Sequence, residues 1–323
     1  MLPARDRTTI CFAHAAYRMA ERFAQRGTGI AHFQVGSADE LVQRLPEADV
    51  LVVSMMWKNA YAALAPRLRF IQSISAGTDQ YDRALLRERG IRLASAAGVN
   101  AHAVAEHAMA LMLALQRRLP EARDNQNARR WRGMIGDIAA REDELGGKTL
   151  LIVGLGRIGA RLARLAKAFD LRVIAVRRDP SGGAPAGVDA VHGQGSLRDL
   201  LPEADIVALA CPLTPQTEGL IDAAALAAMK PTAHLVNVAR GRVVDESALI
   251  EALQQRRIAA AALDVTREEP LPAASPLWAM PNVLITPHTA GETQRYEDAV
   301  IDILLDNLER LWRGEAALVN QIA

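Results

Sequence analysis

Short apolar runs alternate with amphipathic segments along most of this chain. In the first third, Thr9–Ala13, Ile30–Val35, Val50–Ser54, Phe70–Ile74 and Ile91–Ala94 read as strands. The segments between them, Ala15–Arg26, Ala38–Leu45 behind Ser37, Ala60–Ala65 and Tyr81–Arg89, carry apolar residues at helical spacing. Strands that alternate with helices predict parallel pairing in an α/β sheet. The pattern then changes. Ala101–Leu115 is apolar on almost every face, with Pro120 expected to end it and polar Glu121–Arg130 following. A helix of that kind must be covered on several sides, by another domain or another subunit. From Lys148 the alternation resumes, with strands at Thr149–Val153, Arg172–Val176, Asp205–Ala210, His234–Val238, Ile258–Asp264 and Val283–Thr286. Helices are predicted at Arg157–Phe169, Leu197–Leu201, Asp222–Met229 and Glu246–Gln255, and a long amphipathic one at Gln294–Arg313.

Two blocks of alternation predict two doubly wound α/β domains, dividing near Gly98–His102. An internal echo supports that reading: Leu45-Pro46-Glu47-Ala48-Asp49 before Val50–Val53 recurs as Leu201-Pro202-Glu203-Ala204-Asp205 before Ile206–Leu209. Length agrees, because 323 residues are long for a single core. Charges of both signs nearly cancel at +1, which argues against nucleic acid or an anionic membrane as a partner. Two cysteines, Cys11 and Cys211, are too few for a disulfide framework and suggest a reducing compartment. The first residues lack the apolar stretch of a signal peptide, and the longest apolar run is too short to span a bilayer, so the expected location is cytoplasmic. No metal site is expected.

The most specific chemistry lies at the resumption of the pattern. A short apolar strand ends in Gly154-Leu155-Gly156-Arg157-Ile158-Gly159, and a helix follows at once. In a dinucleotide site the first glycine allows the turn and the second lets a pyrophosphate approach the backbone. The third lets helix and strand pack closely, while the helix N-terminus faces the phosphates. The next strand ends in Arg177-Arg178, with no carboxylate before Asp179. A carboxylate there would take a ribose 2′-hydroxyl, whereas paired guanidinium groups suit a 2′-phosphate, so NADP is expected over NAD. The alternative is two solvated arginines with Asp179 reaching the ribose.

Three further polar stretches follow strand ends, where open α/β sheets bind ligands. They are Asn237-Val238-Ala239-Arg240-Gly241, Asp264 to Pro270, and Thr286-Pro287-His288-Thr289-Ala290-Gly291. Together they offer an arginine for a carboxylate, a carboxylate to tune a base, and a histidine to move a proton. With Cys211-Pro212-Leu213-Thr214, Ser275-Pro276-Leu277-Trp278 and Val104-Ala105-Glu106, these motifs in this order resemble the D-isomer-specific 2-hydroxyacid dehydrogenase family, glyoxylate/hydroxypyruvate reductases included.

That resemblance implies a nucleotide-binding domain of Rossmann type over residues 100–290. It implies a flavodoxin-like substrate domain from 1–99 and 291–323, with a cleft between them. It implies hydride transfer between the nicotinamide and C2 of a small 2-oxo or 2-hydroxy acid. Arg240 would bind the substrate carboxylate and carbonyl oxygen, His288 would act as acid in reduction and base in oxidation, and Glu269 would hold the ring. Glu268 is adjacent, but the residue before proline matches the family. A carboxylate beside an imidazole favours the protonated form and fixes the tautomer. Gly154 to Gly159, Arg177, Arg178, Cys211, Pro212, Thr214, Thr217, Ala239, Asp264, His288 and Ala290 would contact the cofactor, Asp264 near the nicotinamide carboxamide. Ser75, Ala76 and Gly77 would offer backbone N–H groups to the substrate carboxylate. His14, His32, His102, His107, His192 and His234 are assigned to structure.

Two departures from the family stand out. Thr266 occupies a position after Asp264-Val265 that is often aromatic. The loop Ser54-Met55-Met56-Trp57-Lys58 is rich in large apolar side chains, and Met55 and Trp57 lining the site would favour substrates with apolar side chains over glyoxylate. A formate dehydrogenase shares the scaffold but has glutamine beside the histidine, against Glu269. A cofactor-gated corepressor-like protein keeps all three polar residues and stays as the alternative. The apolar helix Ala101–Leu115 resembles one used for dimers, so a homodimer is expected.

Overall fold

The structure is a computed structural model that describes residues 2–323. The described chain forms two compact units, residues 2–100 with 292–323, and residues 101–291. In the first, β1 (Thr9–Ala13), α1 (Met19–Ala24), β2 (Ala31–Val35), α2 (Ala38–Arg44), β3 (Val50–Val53), β4 (Phe70–Ser73), α3 (Arg83–Glu88) and β5 (Arg92–Ala94) follow in order. All strand pairs are parallel and the sheet order is β2-β1-β3-β4-β5. β3 and β4 are buried along their whole length, as a sheet covered on both faces requires. Residues 59–64 form a 3₁₀ helix rather than an α-helix.

The second unit opens with α4 (Ala101–Gln116) and α5 (Leu119–Asn127). Pro120 lies in the first turn of α5 instead of simply closing α4, because proline is tolerated where the backbone N–H has no helical partner. β6 (Thr149–Val153), α6 (Arg157–Lys167), β7 (Arg172–Arg177), β8 (Ala190–Gly193), α7 (Leu197–Leu200), β9 (Ile206–Leu209), α8 (Ala223–Ala228), β10 (His234–Asn237), α9 (Glu246–Gln254), β11 (Ala260–Leu263) and β12 (Val283–Ile285) complete it. The sheet is again all parallel, in the order β12-β11-β10-β9-β6-β7-β8, and the order reverses between β6 and β9. α4 buries Val104, Ala105, Ala108 and Met112 in a cluster with Leu162 and Ala166 of α6, Val236 of β10 and Ala262 of β11. Its apolar faces are therefore covered largely from within its own unit.

The chain then returns to the first unit as α10 (Tyr296–Trp312). Val300, Ile301, Leu304 and Leu308 recur at three- and four-residue spacing and pack with Phe12, Phe23 and Phe70. Asn307 of α10, fully buried, donates to Gln72 Oε1 at 3.0 Å, so its amide is not left unpaired.

The internal echo is a shared device. Asp49 accepts from the Thr9 N–H at 2.9 Å and pairs with Arg67 at 2.8 Å. Asp205 accepts from the Thr149 N–H at 2.8 Å and pairs with Lys230 at 2.7 Å. In each unit one carboxylate thus ties the start of the first strand to its central neighbour.

Candidate functional site

Three strand ends of the second unit carry the polar groups. At the end of β10, the buried Asn237 accepts from the Ala239 N–H at 3.0 Å and donates to the Arg240 carbonyl at 3.1 Å. That side chain shapes the turn presenting Arg240, as an Asn side chain does when it mimics a backbone turn. Gly241 follows, and a Cβ on it would lie 1.9 Å from the Thr266 carbonyl oxygen. No other residue lets the β10 and β11 loops touch.

After β11, Glu269 Oε1 accepts from the Thr266 N–H at 3.1 Å, and the Thr266 hydroxyl donates to the Glu268 carbonyl at 2.7 Å. Thr266, the departure noted at this position, is thus a fastener for the Glu269 loop. After β12, His288 adopts a left-handed backbone (φ 56°), and its N–H donates to the Asp264 carbonyl at 2.8 Å. Its Nδ1 lies 2.7 Å from Glu269 Oε2, and 46 % of the ring side chain is exposed. Glu269, not Glu268, touches the imidazole. That bond leaves Nε2 as the nitrogen that can exchange a proton with a ligand. Burial opposes ionisation of Glu269, but the His288 hydrogen bond and charge, the Thr266 N–H and the Arg240 charge outweigh it and hold the carboxyl below its ordinary range.

The glycine turn sits at the end of β6, where the sheet order reverses. Gly154 has φ 104°, and a Cβ there would lie 2.6 Å from the Cys211 backbone nitrogen after β9. A Cβ on Gly159 would lie 2.1 Å from the Gly154 carbonyl oxygen, so α6 and β6 touch through it. Gly156 is different: nothing lies within 4 Å of its Cβ position, it is exposed, and no side chain caps α6. An open glycine face beside an uncapped helix N-terminus fits a dinucleotide pyrophosphate. Leu155 and Ile158 are half-buried and Arg157 is exposed.

Other expected residues play structural parts in their loops. The Thr217 hydroxyl donates to the Pro212 carbonyl and accepts from the Thr214 N–H, which braces the loop after β9. Cys211, Ala239 and Ala290 are buried. At the end of β7, Arg177 Nε donates to the Asp179 carbonyl, and the Asp179 carboxylate accepts from Ser181 at 3.0 Å. Those Ser181 bonds hold the exposed Asp179 below the ordinary carboxylate range. Arg178 is exposed. Asp264 is 2 % exposed, and both oxygens accept from the His288 loop. Its side chain therefore braces that loop and is not turned outward.

In the first unit the Ser75 N–H is taken by Ser73 Oγ, and the Ser75 hydroxyl meets Ser54 Oγ. Tyr296 of α10 donates to the Ile74 carbonyl just before it. Met55 is 89 % exposed, but Trp57 is 4 % exposed, its indole packed on Tyr61 and Tyr81 and its N–H given to Asn59. Trp57 is thus a core residue and not a lining one; Tyr81 stacked on it and Tyr61 edge-on to it bury it more effectively than a loop position suggests. Among the histidines expected to be structural, His107 stands apart, with Nε2 2.9 Å from Thr286 Oγ1.

Comparison with known proteins gives the family. Residues 109–290 match the family model described as D-isomer specific 2-hydroxyacid dehydrogenase, NAD binding domain. The chain is 39% identical over 287 residues to a glyoxylate/hydroxypyruvate reductase B of Yersinia pestis, covering 86% of this chain and 87% of that protein. It is 37% identical over 290 residues to a D-3-phosphoglycerate dehydrogenase of Methanocaldococcus jannaschii, covering 86% of this chain but only 52%, about half, of that longer protein. The crystal structure of an NADPH-dependent glyoxylate/hydroxypyruvate reductase from Sinorhizobium meliloti, in complex with NADP and malonate, matches with a TM-score of 0.82 at 27% identity. That match covers 98% of this chain and 97% of the other.

Proposed function

The chain belongs to the D-isomer specific 2-hydroxyacid dehydrogenase family and is an NAD(P)-dependent oxidoreductase acting on 2-hydroxy or 2-oxo acids; from that premise we propose that Arg240, Glu269 and His288 carry the reaction. The observation that carries the reading is the 2.7 Å contact between His288 Nδ1 and Glu269, with Arg240 close enough for its charge to act on the same carboxylate. Arg240 binds the substrate carboxylate and carbonyl oxygen. His288 Nε2 gives its proton to that oxygen in reduction and takes it back in oxidation. Glu269, ionised because its carboxyl is held low, keeps the ring oriented by accepting from Nδ1. The turn Gly154–Gly159 and the N-terminus of α6 would hold the dinucleotide, whose nicotinamide would supply or accept the hydride at C2 when bound.

The finer assignments belong to the same reading. Arg177 and Arg178 favour NADP, supported by the tying of Asp179 to Ser181. Ala76 and Gly77 offer N–H groups to the substrate carboxylate. Met55, the exposed apolar side chain of its loop, favours a 2-oxoacid with an apolar side chain over glyoxylate. The partner is a second copy: the stretch after α5 exposes Trp131 and Met134 almost completely and Ile138, at the start of a 3₁₀ turn, for most of its surface, an uncommon arrangement for large apolar side chains.

The test is turnover of glyoxylate, hydroxypyruvate, phenylpyruvate and 2-oxoisocaproate with both reduced cofactors, in wild type and His288→Asn. Reduction falls in the variant by at least about a hundredfold, in line with general acid catalysis. In wild type, reduction slows and oxidation speeds up as pH rises, because only a protonated donor can give its proton to the substrate oxygen. Equal rates and equal pH profiles in the two proteins would end the assignment.

A further inference from the structure

His107 lies on α4, far in sequence from the polar strand ends, yet it reaches them. Its Nε2 is 2.9 Å from Thr286 Oγ1, and Thr286 Oγ1 is 2.6 Å from Asp264 Oδ1. His107 Nε2 itself is 3.6 Å from Asp264 Oδ1, too long for a direct hydrogen bond, so the connection passes through the hydroxyl.

The direction of the chain follows from proton counting. Asp264 is buried, and its Oδ1 also accepts from the Thr289 N–H at 3.0 Å, while Oδ2 accepts from the Ala290 N–H at 3.1 Å. A carboxylate surrounded by donors is an acceptor only, so the single hydroxyl hydrogen of Thr286 points to it. Thr286 Oγ1 must then accept from His107, which carries its proton on Nε2.

The residues tied to this one carboxylate bracket His288: Thr286 before it, Thr289 and Ala290 after it. The Asp264 carbonyl takes the His288 N–H as well. His288 needs such bracing, because a left-handed backbone is costly for a residue with a Cβ and persists only where its surroundings determine it. α4 is a firm anchor, with Ala105 and Ala108 fully buried on either side of His107.

We propose that His107 and Thr286 are positioning residues for His288: the one-way chain from the His107 Nε2–H through the Thr286 hydroxyl to Asp264 sets the loop that aims the imidazole. The proposal rests on the reading of His288 as the proton donor. Neither residue touches substrate; they act through Asp264.

The experiment compares His107→Leu and Thr286→Val with the conservative His107→Gln and Thr286→Ser, using the 2-oxoacid that wild type reduces fastest and His288→Asn as control. Chain-breaking variants lower kcat about tenfold or more, with KM for the reduced cofactor changed less than about threefold, since a small misplacement of a proton donor costs rate rather than binding. The conservative variants restore kcat to within about threefold of wild type, because each keeps its hydrogen-bonding group. Wild-type kcat in folded His107→Leu and Thr286→Val, beside an inactive His288→Asn, overturns this proposal alone. Full activity in His288→Asn, or no 2-oxoacid turnover by wild type, removes the reading of His288 and the proposal with it. Long-range ¹⁵N–¹H spectra of the wild-type imidazoles need no variant to be active. The signal lost in His107→Gln must show a proton on Nε2, and a bare Nε2 overturns the chain.

Discussion

Gly241 and Gly156 occupy the same kind of position, a turn after a strand, and the physics asks opposite things of them. Gly241 is fixed by protein: its missing Cβ is what lets the Arg240 turn lie on the Thr266 carbonyl. Gly241→Ala must push those loops apart, at a cost of about 3 kcal/mol in overpacking. The same shift separates Arg240 from Glu269, so kcat falls along with the urea midpoint. Gly156 is fixed by nothing in the protein, since its Cβ position is open and its φ of −88° suits any residue. Gly156→Ala should leave stability within about 0.5 kcal/mol of wild type, as exposed substitutions do. It should raise the cofactor KM about tenfold, because a methyl group then occupies the approach of the pyrophosphate, a loss of about 1.4 kcal/mol. Equal cofactor KM in the two proteins would remove the pyrophosphate from that face.

At the scale of elements, what could be read from sequence was what local pattern determines. The central strands of both sheets were legible because a parallel strand buried on both faces is a near-continuous apolar run, as in Val50–Val53 and Ile206–Leu209. β8 was missed: Ala190–Gly193 is half-buried at a sheet edge, so it lacks that signature. The polar strand ends were legible through motif order, but His107 was hidden by the apolar helix around it, and Trp57 by a loop whose burial comes from Tyr61 and Tyr81. His234, the first residue of β10, shows how an element's edge sets a property of the fold. Its ring is largely buried with Nδ1 unpartnered, and burial pushes it from 6.5 down to about 4, with Lys148 adding to the shift and Asp143 opposing it. The folded ring is neutral while the unfolded one binds a proton below 6.5, so this contribution is whole above 6.5 and is lost as pH falls towards 4. Across that window it amounts to about 3 kcal/mol. Urea unfolding at pH 7 and 4.5 measures it: His234→Gln should lose less stability between those values than wild type, and equal losses would contradict the burial argument.

For the whole molecule, the nearly balanced charge decides how cofactor preference must be tested. A net charge of +1 offers no general attraction for anions, so extra affinity for a 2′-phosphate has to come from local groups. Arg177 and Arg178 at the end of β7 are the groups in question, and Asp179 beside them has one carboxylate oxygen engaged by the Ser181 N–H. Any ligand that binds only the native state raises stability by RT ln(1 + [L]/Kd), about 2.7 kcal/mol at a hundredfold excess over Kd. At equal concentrations NADP should therefore raise the thermal midpoint more than NAD does. Arg177→Ala with Arg178→Ala should reduce the NADP shift to the NAD shift while leaving the latter in place, since the glycine turn is untouched. The NADP excess should also shrink as salt rises from about 0.05 to 0.5 M, because exposed guanidinium–phosphate attraction is screened within a few ångströms at high ionic strength. An NAD shift equal to or larger than that of NADP in wild type would reverse the assignment, making the two arginines solvated surface groups and leaving Asp179 as the residue for the ribose.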